Sequence, residues 1–344
     1  MSPDLYGILG RPVGHSISPA FHNRAFALKG VPGIYCAWEK QEEELPDFFH
    51  AVRTLPIAGL SVTIPYKSKA APFLDELTNR ARLTGAVNTV FRRDDRLAGG
   101  NTDVDGLLMP LARRAGPPLR EALILGAGGV ARAVAAGLTE LGLSLIAVAA
   151  RDKDKAEKLL AAFSFGKEAS GPCPERPEGD REGHASRADS PVTPAYRALA
   201  WEERVYALAD MGVPLVINAT PLGMQGAFED RSPLPDEAFD LCARRMRRSS
   251  GDARSDTNRP VFFDLVYAPR ETRFLAAARA HGFECIDGLA FFAAQAVGQF
   301  TAWTGKEFTL QEAEQILETL PDSSRLGCRQ HSGAGEALSG IPLP

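Results

Sequence analysis

The sequence predicts a two-domain α/β protein, and three observations carry that expectation. The first hundred residues alternate short strand and helix patterns, as βαβ units do. A continuous apolar strand at Ala122–Leu125 runs into Gly126-Ala127-Gly128-Gly129-Val130-Ala131 and then a helix. The length, 344 residues, exceeds the ~150 residues of a typical single domain.

The elements follow in order. A helix is expected over Ser18–Lys29, with Ser18 as N-cap, Pro19 in the first turn and Gly30 as terminator. Gly33–Trp38 and Gly59–Ile64 read as strands, being rich in β-branched and aromatic residues. After Pro65 a helical stretch is expected through Leu74 and Leu77. The helix after the Gly-rich turn should run from Val130 to about Leu141, followed by a strand at Ser144–Ala149. Val213–Asn218 and Val261–Val266 read as later buried strands. Thr309-Leu310-Gln311-Glu312 is a capping box opening an apolar stripe that Pro321 stops.

Two stretches lack the apolar residues a core needs. Residues 164–194 are dense in Gly, Pro and charge, and 244–259 hold six arginines. Both read as solvated, flexible insertions, and 321–344 as a disordered tail.

Composition excludes several classes. Apolar residues make up 44% and charged residues 24%, as in ordinary globular proteins. A net charge of −4 leaves no basic footprint for nucleic acid. No apolar run suits a membrane span, and no basic n-region precedes a long apolar stretch, so a cytoplasmic location is expected. The five cysteines form no C-x-x-C pair and the six histidines no H-E-x-x-H, so neither a disulfide framework nor a metal site is expected.

The Gly-rich turn carries the clearest chemistry. Gly126 permits a tight turn, Gly128 close approach of a pyrophosphate, and Ala131 close helix–strand packing. Oriented N–H groups at the helix start favour an anion, which makes Gly126, Ala127, Gly128, Gly129 and Val130 candidate dinucleotide contacts. At the end of the next strand, Arg151 and Lys155 could meet a 2′-phosphate, favouring NADP, whereas Asp152 favours a ribose hydroxyl and hence NAD. Thr63 and Lys67 lie at and just beyond a strand's C-terminal end, where open α/β sheets place ligands. Thr102 or Asp103 serves equally well as an ordinary helix N-cap. Asn88 could satisfy local backbone, and Asn218 to Met224 could be only a turn.

Together these pieces resemble the shikimate dehydrogenase family, in order and over roughly residues 5–320 apart from the insertions. The matching segments are Gly14 to Pro19, Ser61 to Lys67, Gly85 to Thr89, Gly100 to Asp103, Gly126 to Ala131, Asn218 to Met224, Asp264 to Tyr267, and Asp287-Gly288-Leu289 leading to Gln295. The resemblance implies a substrate-binding domain of residues 1–103 plus 288–320, an NADP-binding Rossmann-type domain of 104–287, and an active-site cleft between them. It implies reversible NADPH-dependent reduction of 3-dehydroshikimate to shikimate, in chorismate and aromatic amino-acid biosynthesis, by a monomer or homodimer. Lys67 and Asp103 match the catalytic pair. Ser16, Ser18 and Tyr267 match positions that hold the substrate carboxylate; Thr63, Asn88, Thr102 and Gln295 surround the rest of the substrate. Thr220, Leu265 and Gly288 match cofactor-lining positions. A protonated lysine suits the developing alkoxide, supplying both a proton and positive charge. The chain reads Ala150-Arg151-Asp152 where the family reads Asn-Arg-Thr. That difference keeps a quinate/shikimate dehydrogenase using NAD as an alternative. A non-catalytic metabolite sensor on the same fold is another, against which the retained Lys67 and Asp103 argue.

Overall fold

The computed structural model describes residues 3–164, 194–211, 214–249 and 259–320. The expectations for 165–193, 250–258 and the tail 321–344, with Cys173 and Cys328, lie outside the described residues. The described chain forms two six-stranded sheets with helices against them, the two-part α/β architecture expected.

The first sheet holds β1 (Asp4–Gly10), β2 (Gly33–Glu39), β3 (Ile57–Val62), β4 (Glu76–Leu77), β5 (Thr89–Arg93) and β6 (Arg96–Gly100), in the order β2-β1-β3-β5-β6-β4. Helices α1 (Ser18–Leu28) and α2 (Leu45–Thr54) connect its first three, parallel strands. The βαβ alternation then stops, because β5 pairs antiparallel with both β3 and β6. Side chains alternate across β1 as the pleat requires. Tyr6 and Ile8 face one core with Phe21, Phe26 and Phe300, while Leu9 faces another with Phe49, Leu60 and Val62.

Two local expectations are corrected. Ser18 is the first helical residue of α1 rather than its cap; Ile17 stands at the N-cap without a side-chain bond. Ser18 is buried and interacts with the Tyr35 hydroxyl instead. The stretch through Leu74 and Leu77 is not a helix. A single turn at Ala71–Phe73 leads into β4, which pairs with β6, and Leu74 and Leu77 pack over Gly99. Sheet-edge pairing overrode an apolar spacing that suits a helix. Helix α3 (Asn79–Thr84) follows, capped by the Thr78 side chain.

Helix α4 (Asp103–Ala112) leads to the second sheet, of β7 (Glu121–Leu125), β8 (Leu145–Ala150), β9 (Ala195–Ala200), β10 (Leu215–Asn218), β11 (Val261–Asp264) and β12 (Glu284–Ile286). All six strands run parallel in the order β12-β11-β10-β7-β8-β9, the doubly wound arrangement. Helices α5 (Gly129–Glu140), α6 (Lys153–Ser164), α7 (Arg204–Met211), α8 (Asp236–Ser249) and α9 (Arg273–Ala280) accompany it. Ile124, Val148, Ile217 and Phe263 pack on one face, and Leu123, Leu125, Val216 and Phe262 on the other. Burial on both faces explains the continuous apolar strands in the sequence.

The insertion expected over 244–259 is corrected in its first part. Helix α8 continues to Ser249, because Phe239, Cys242 and Met246 present a helical apolar stripe to the core. Helices α10 (Gly288–Thr304) and α11 (Leu310–Thr319) return the chain to the first sheet, packing beside α1. Thr309 and Glu312 form the expected capping box. Helix α4 lies between α5 and α10 at close range: a Cβ on Gly106 would come within 2.8 Å of the Phe291 ring, and one on Gly137 within 2.9 Å of Leu107.

Candidate active site

The strand ends of the first sheet converge on one polar cluster. Lys67 follows β3 and is 19% exposed along its side chain; Asp103, the first residue of α4, is 3% exposed. Lys67 Nζ donates to Asp103 Oδ2 at 2.6 Å. A carboxylate this buried needs a charged partner and further donors. Asn88 Nδ2 supplies one, to Asp103 Oδ1 at 2.8 Å, and the Asp103 backbone N–H bonds to Asn101 Oδ1 at 3.1 Å.

Asn88 organises the rest. Its Oδ1 accepts from the Thr102 backbone N–H at 2.8 Å and from Thr89 Oγ1 at 2.7 Å. Its Nδ2 also reaches Thr102 Oγ1 at 3.1 Å and Gln295 Oε1, from α10, at 3.4 Å. Thr102 stands at the N-cap of α4 but makes no side-chain cap bond. The expected cap position is thus borne out at Thr102, but without a side-chain cap bond, since the Thr102 and Asp103 side chains both turn into the cluster. Five predicted residues, Lys67, Asn88, Thr102, Asp103 and Gln295, thus form one hydrogen-bonded group.

Among the described residues no direct hydrogen bond joins Ser16, Thr63 or Tyr267 to that group. Ser16 Oγ accepts from the Ser18 backbone N–H at 3.2 Å. Thr63, half-buried, continues β3 with its N–H on the Leu9 carbonyl at 2.9 Å. Tyr267 packs its ring against Phe292, and burial raises its hydroxyl pKa. Sequence reasoning gave no role to Thr89 or Asn101. Both lie in matched segments, but only the fold shows Asn101 bonded to Thr84 Oγ1 and Ala86 O.

At the second sheet, Gly126 has φ +108, and a Cβ there would lie 2.9 Å from Thr220 Cγ2 and 3.0 Å from the Ala219 carbonyl. Glycine is needed both for that backbone and for the contact between turns. Beside it, hypothetical Cβ atoms on Gly128 and Gly129 meet nothing within 4 Å, so there is open space beside the start of α5. Ala127 and Val130 are half-buried beside them. A phosphate fits this arrangement. Arg151 is exposed just past β8. Asp152 is engaged as the cap of α6, accepting from the Lys155 N–H at 3.4 Å with Lys155 Nζ 3.6 Å away.

Across β10 and β11 a second network orders the loops. Thr220 Oγ1 donates to Asn218 Oδ1 at 2.6 Å, and Asn218 Nδ2 donates to Asp264 Oδ1 at 2.9 Å. Asp264 also accepts from the Val266 N–H at 3.0 Å and Thr272 Oγ1 at 2.6 Å. Burial outweighs these donors and raises its pKa to about 6. Leu265 and Tyr267 follow directly. Gly288 seals the joint, since a Cβ there would fall 2.3 Å from the Val266 carbonyl oxygen. No group of residues that could hold a metal ion occurs among the described residues, and no described helix is long and apolar enough to cross a membrane.

Residues 8–90 match the family model described as the shikimate dehydrogenase substrate binding domain. The chain is 38% identical over 322 residues to a shikimate dehydrogenase (NADP(+)) of Pelobacter propionicus, covering 93% of this chain and 97% of that one. It is similar in structure to the shikimate 5-dehydrogenase of Thermus thermophilus in complex with NADP(H) and shikimate, with TM-score 0.70, 32% identity, and coverage of 92% and 98%. A quinate dehydrogenase of Corynebacterium glutamicum in complex with NAD is also similar, with TM-score 0.71, 27% identity, and coverage of 92% and 99%.

Proposed function

The chain belongs to the shikimate dehydrogenase family, and from that premise we propose that it catalyses the reversible NADPH-dependent reduction of 3-dehydroshikimate to shikimate. The carrying observation is the Lys67–Asp103 pair, closed by Asn88 on the second carboxylate oxygen. The chemistry that NADPH supplies when bound is hydride transfer to the ring carbonyl carbon.

The chain's own residues do the rest. Lys67, as an ammonium, donates a proton to the carbonyl oxygen as negative charge develops there. Asp103 orients Lys67 and accepts from a substrate hydroxyl. Asn88, Thr102, Thr63 and Gln295 offer donors and acceptors for the remaining ring oxygens. Such a site discriminates by leaving its own polar groups unpaired around a wrong substrate. Ser16, Ser18 and Tyr267 hold the substrate carboxylate. Gly126 to Val130 cradle the pyrophosphate, Arg151 and Lys155 face the 2′-phosphate, and Thr220, Leu265 and Gly288 line the nicotinamide side. A cytoplasmic enzyme, monomeric or homodimeric, is consistent with this reading.

Asp152 motivates the second reading, a quinate/shikimate dehydrogenase using NAD. Initial rates of cofactor reduction, with shikimate or quinate and NADP or NAD, decide between them. Turnover of shikimate with NADP alone supports the first reading. Comparable rates with NAD or quinate favour the second, and no turnover with any pair overturns both.

A further inference from the structure

Beneath the polar cluster runs a line of buried side chains to which no role has yet been given. The Tyr35 hydroxyl in β2 donates to Ser61 Oγ in β3 at 2.6 Å. Ser61 Oγ donates to Gln299 Oε1 in α10 at 2.9 Å. Gln299 Nε2 donates to the Asn88 backbone carbonyl at 3.2 Å. Tyr35 is 2% exposed, Ser61 4%, Gln299 2% and Asn88 1%, so every link is shielded from bulk water.

The direction of each bond is forced. A peptide carbonyl only accepts, so the amide nitrogen of Gln299 must face Asn88 and its oxygen must face Ser61. Ser61 must then donate to Gln299, and Tyr35 must donate to Ser61. Neighbouring His22 stacks on Tyr35 with ring centroids 4.6 Å apart. Burial pushes its pKa down to about 3 against an opposing contribution from Gln299, so no charge competes for these dipoles near neutral pH.

The line ends on the residue that holds Asp103. The Asn88 carbonyl is gripped from two sides, by Gln299 and by the Val62 N–H at 2.8 Å. Gln295 lies one turn earlier on the same face of α10 and meets the Asn88 side chain at 3.4 Å. Helix α10 therefore fixes both the peptide plane and the carboxamide of Asn88. We propose that Gln299 is a positioning residue for the reaction, setting Asn88 against Asp103 and the substrate, with Ser61 and Tyr35 fixing the orientation of Gln299 in turn. The proposal rests on the function given above.

The test compares Gln299→Leu, Ser61→Ala and Tyr35→Phe in the full chain, by steady-state kinetics and backbone hydrogen exchange. In Gln299→Leu the KM for shikimate should rise about fivefold, the worth of one buried hydrogen bond, with the KM for NADP unchanged. Loss of folded protein lowers apparent kcat but cannot produce that split. The effect should decline in the order Gln299→Leu, Ser61→Ala, Tyr35→Phe, as distance from Asn88 grows. Exchange at the Val62, Asn88 and Thr102 amides should quicken in Gln299→Leu while residues 121–150 keep wild-type rates. An unchanged shikimate KM, an equal rise in both KM values, or a reversed order overturns the proposal. If the wild type itself does not oxidise shikimate, the functional reading fails. The exchange measurement then still judges the relay, and unchanged rates at Val62, Asn88 and Thr102 overturn it.

Discussion

Lys67 and Asp103 lie 36 residues apart in the chain, yet their side chains meet at 2.6 Å with the carboxylate almost wholly buried. The lysine carries the proton in the proposed reaction, so its removal should affect turnover more than binding. Lys67→Ala should lower kcat by about a thousandfold, the usual scale of general-acid catalysis, with a modest change in the KM for shikimate. Steady-state kinetics check this, and a variant retaining full turnover would remove Lys67 from the mechanism.

In the proposed reading the cofactor preference rests on Arg151 and Asp152, two adjacent residues of opposite sign. Arg151→Ala should raise the KM for NADP by about tenfold and leave that for NAD nearly unchanged, because a charged hydrogen bond to the 2′-phosphate is lost. Asp152→Thr should tighten NADP by about threefold, the scale of an exposed charge interaction. Threonine can still cap α6, so thermal stability should hold. Cofactor titrations of both variants check the pair of outcomes.

Gly288 leaves no room for a methyl group. Gly288→Ala would press on the Val266 carbonyl from 2.3 Å. Overpacking of this kind costs about 1–3 kcal/mol. The displaced backbone carries Leu265 and Tyr267, so affinity for both substrate and cofactor should fall together. Thermal melts and two KM determinations measure this; a loss of stability with both KM values intact would place the strain elsewhere.

Asp264 and His22 give stability opposite slopes with pH. The folded-state pKa of Asp264 is raised to about 6. Its contribution is fully present below the unfolded aspartate value and is lost as pH rises through about 6. His22 is lowered to about 3. It favours the folded state above the unfolded histidine value, and that contribution is lost as pH falls toward 3. Relative to wild type, Asp264→Asn should therefore gain stability from pH 4 to pH 7, and His22→Phe should gain it in the other direction. Urea unfolding of the three proteins across this range gives the slopes; identical slopes would mean that neither group titrates as described.

Much of this was legible in the sequence where the signal is local. The Gly-rich turn, the parallel strands of the second sheet and the Thr309 capping box depend on residues within one turn or strand of each other. What failed depended on distant partners. The side chains of Thr102 and Asp103 look like helix caps until Asn88 and Lys67 arrive from other elements. Leu74 and Leu77 have a spacing that suits a helix, and only the free edge of β6 draws Leu77 into a strand. Arg244 and its neighbours look like solvated loop, because charge conceals the stripe made by Phe239, Cys242 and Met246. Tyr35 and Gln299 carry no local marker and Ser61 only opens a matched segment, although a glutamine inside the apolar run of α10 was an available hint.

The return of α10 and α11 to the first sheet sets an order on how the protein can be completed at the ribosome. Strands β1 to β6 emerge first, but Tyr6, Phe21 and Phe26 must await Phe300 and Phe308, made roughly 270 to 300 residues later. The second sheet is continuous in the chain from β7 to β12 and needs no such wait. During synthesis the N-terminal third therefore leaves an aromatic face open while the central region closes its own core. That interval is when the nascent chain is most exposed to aggregation and most in need of a chaperone.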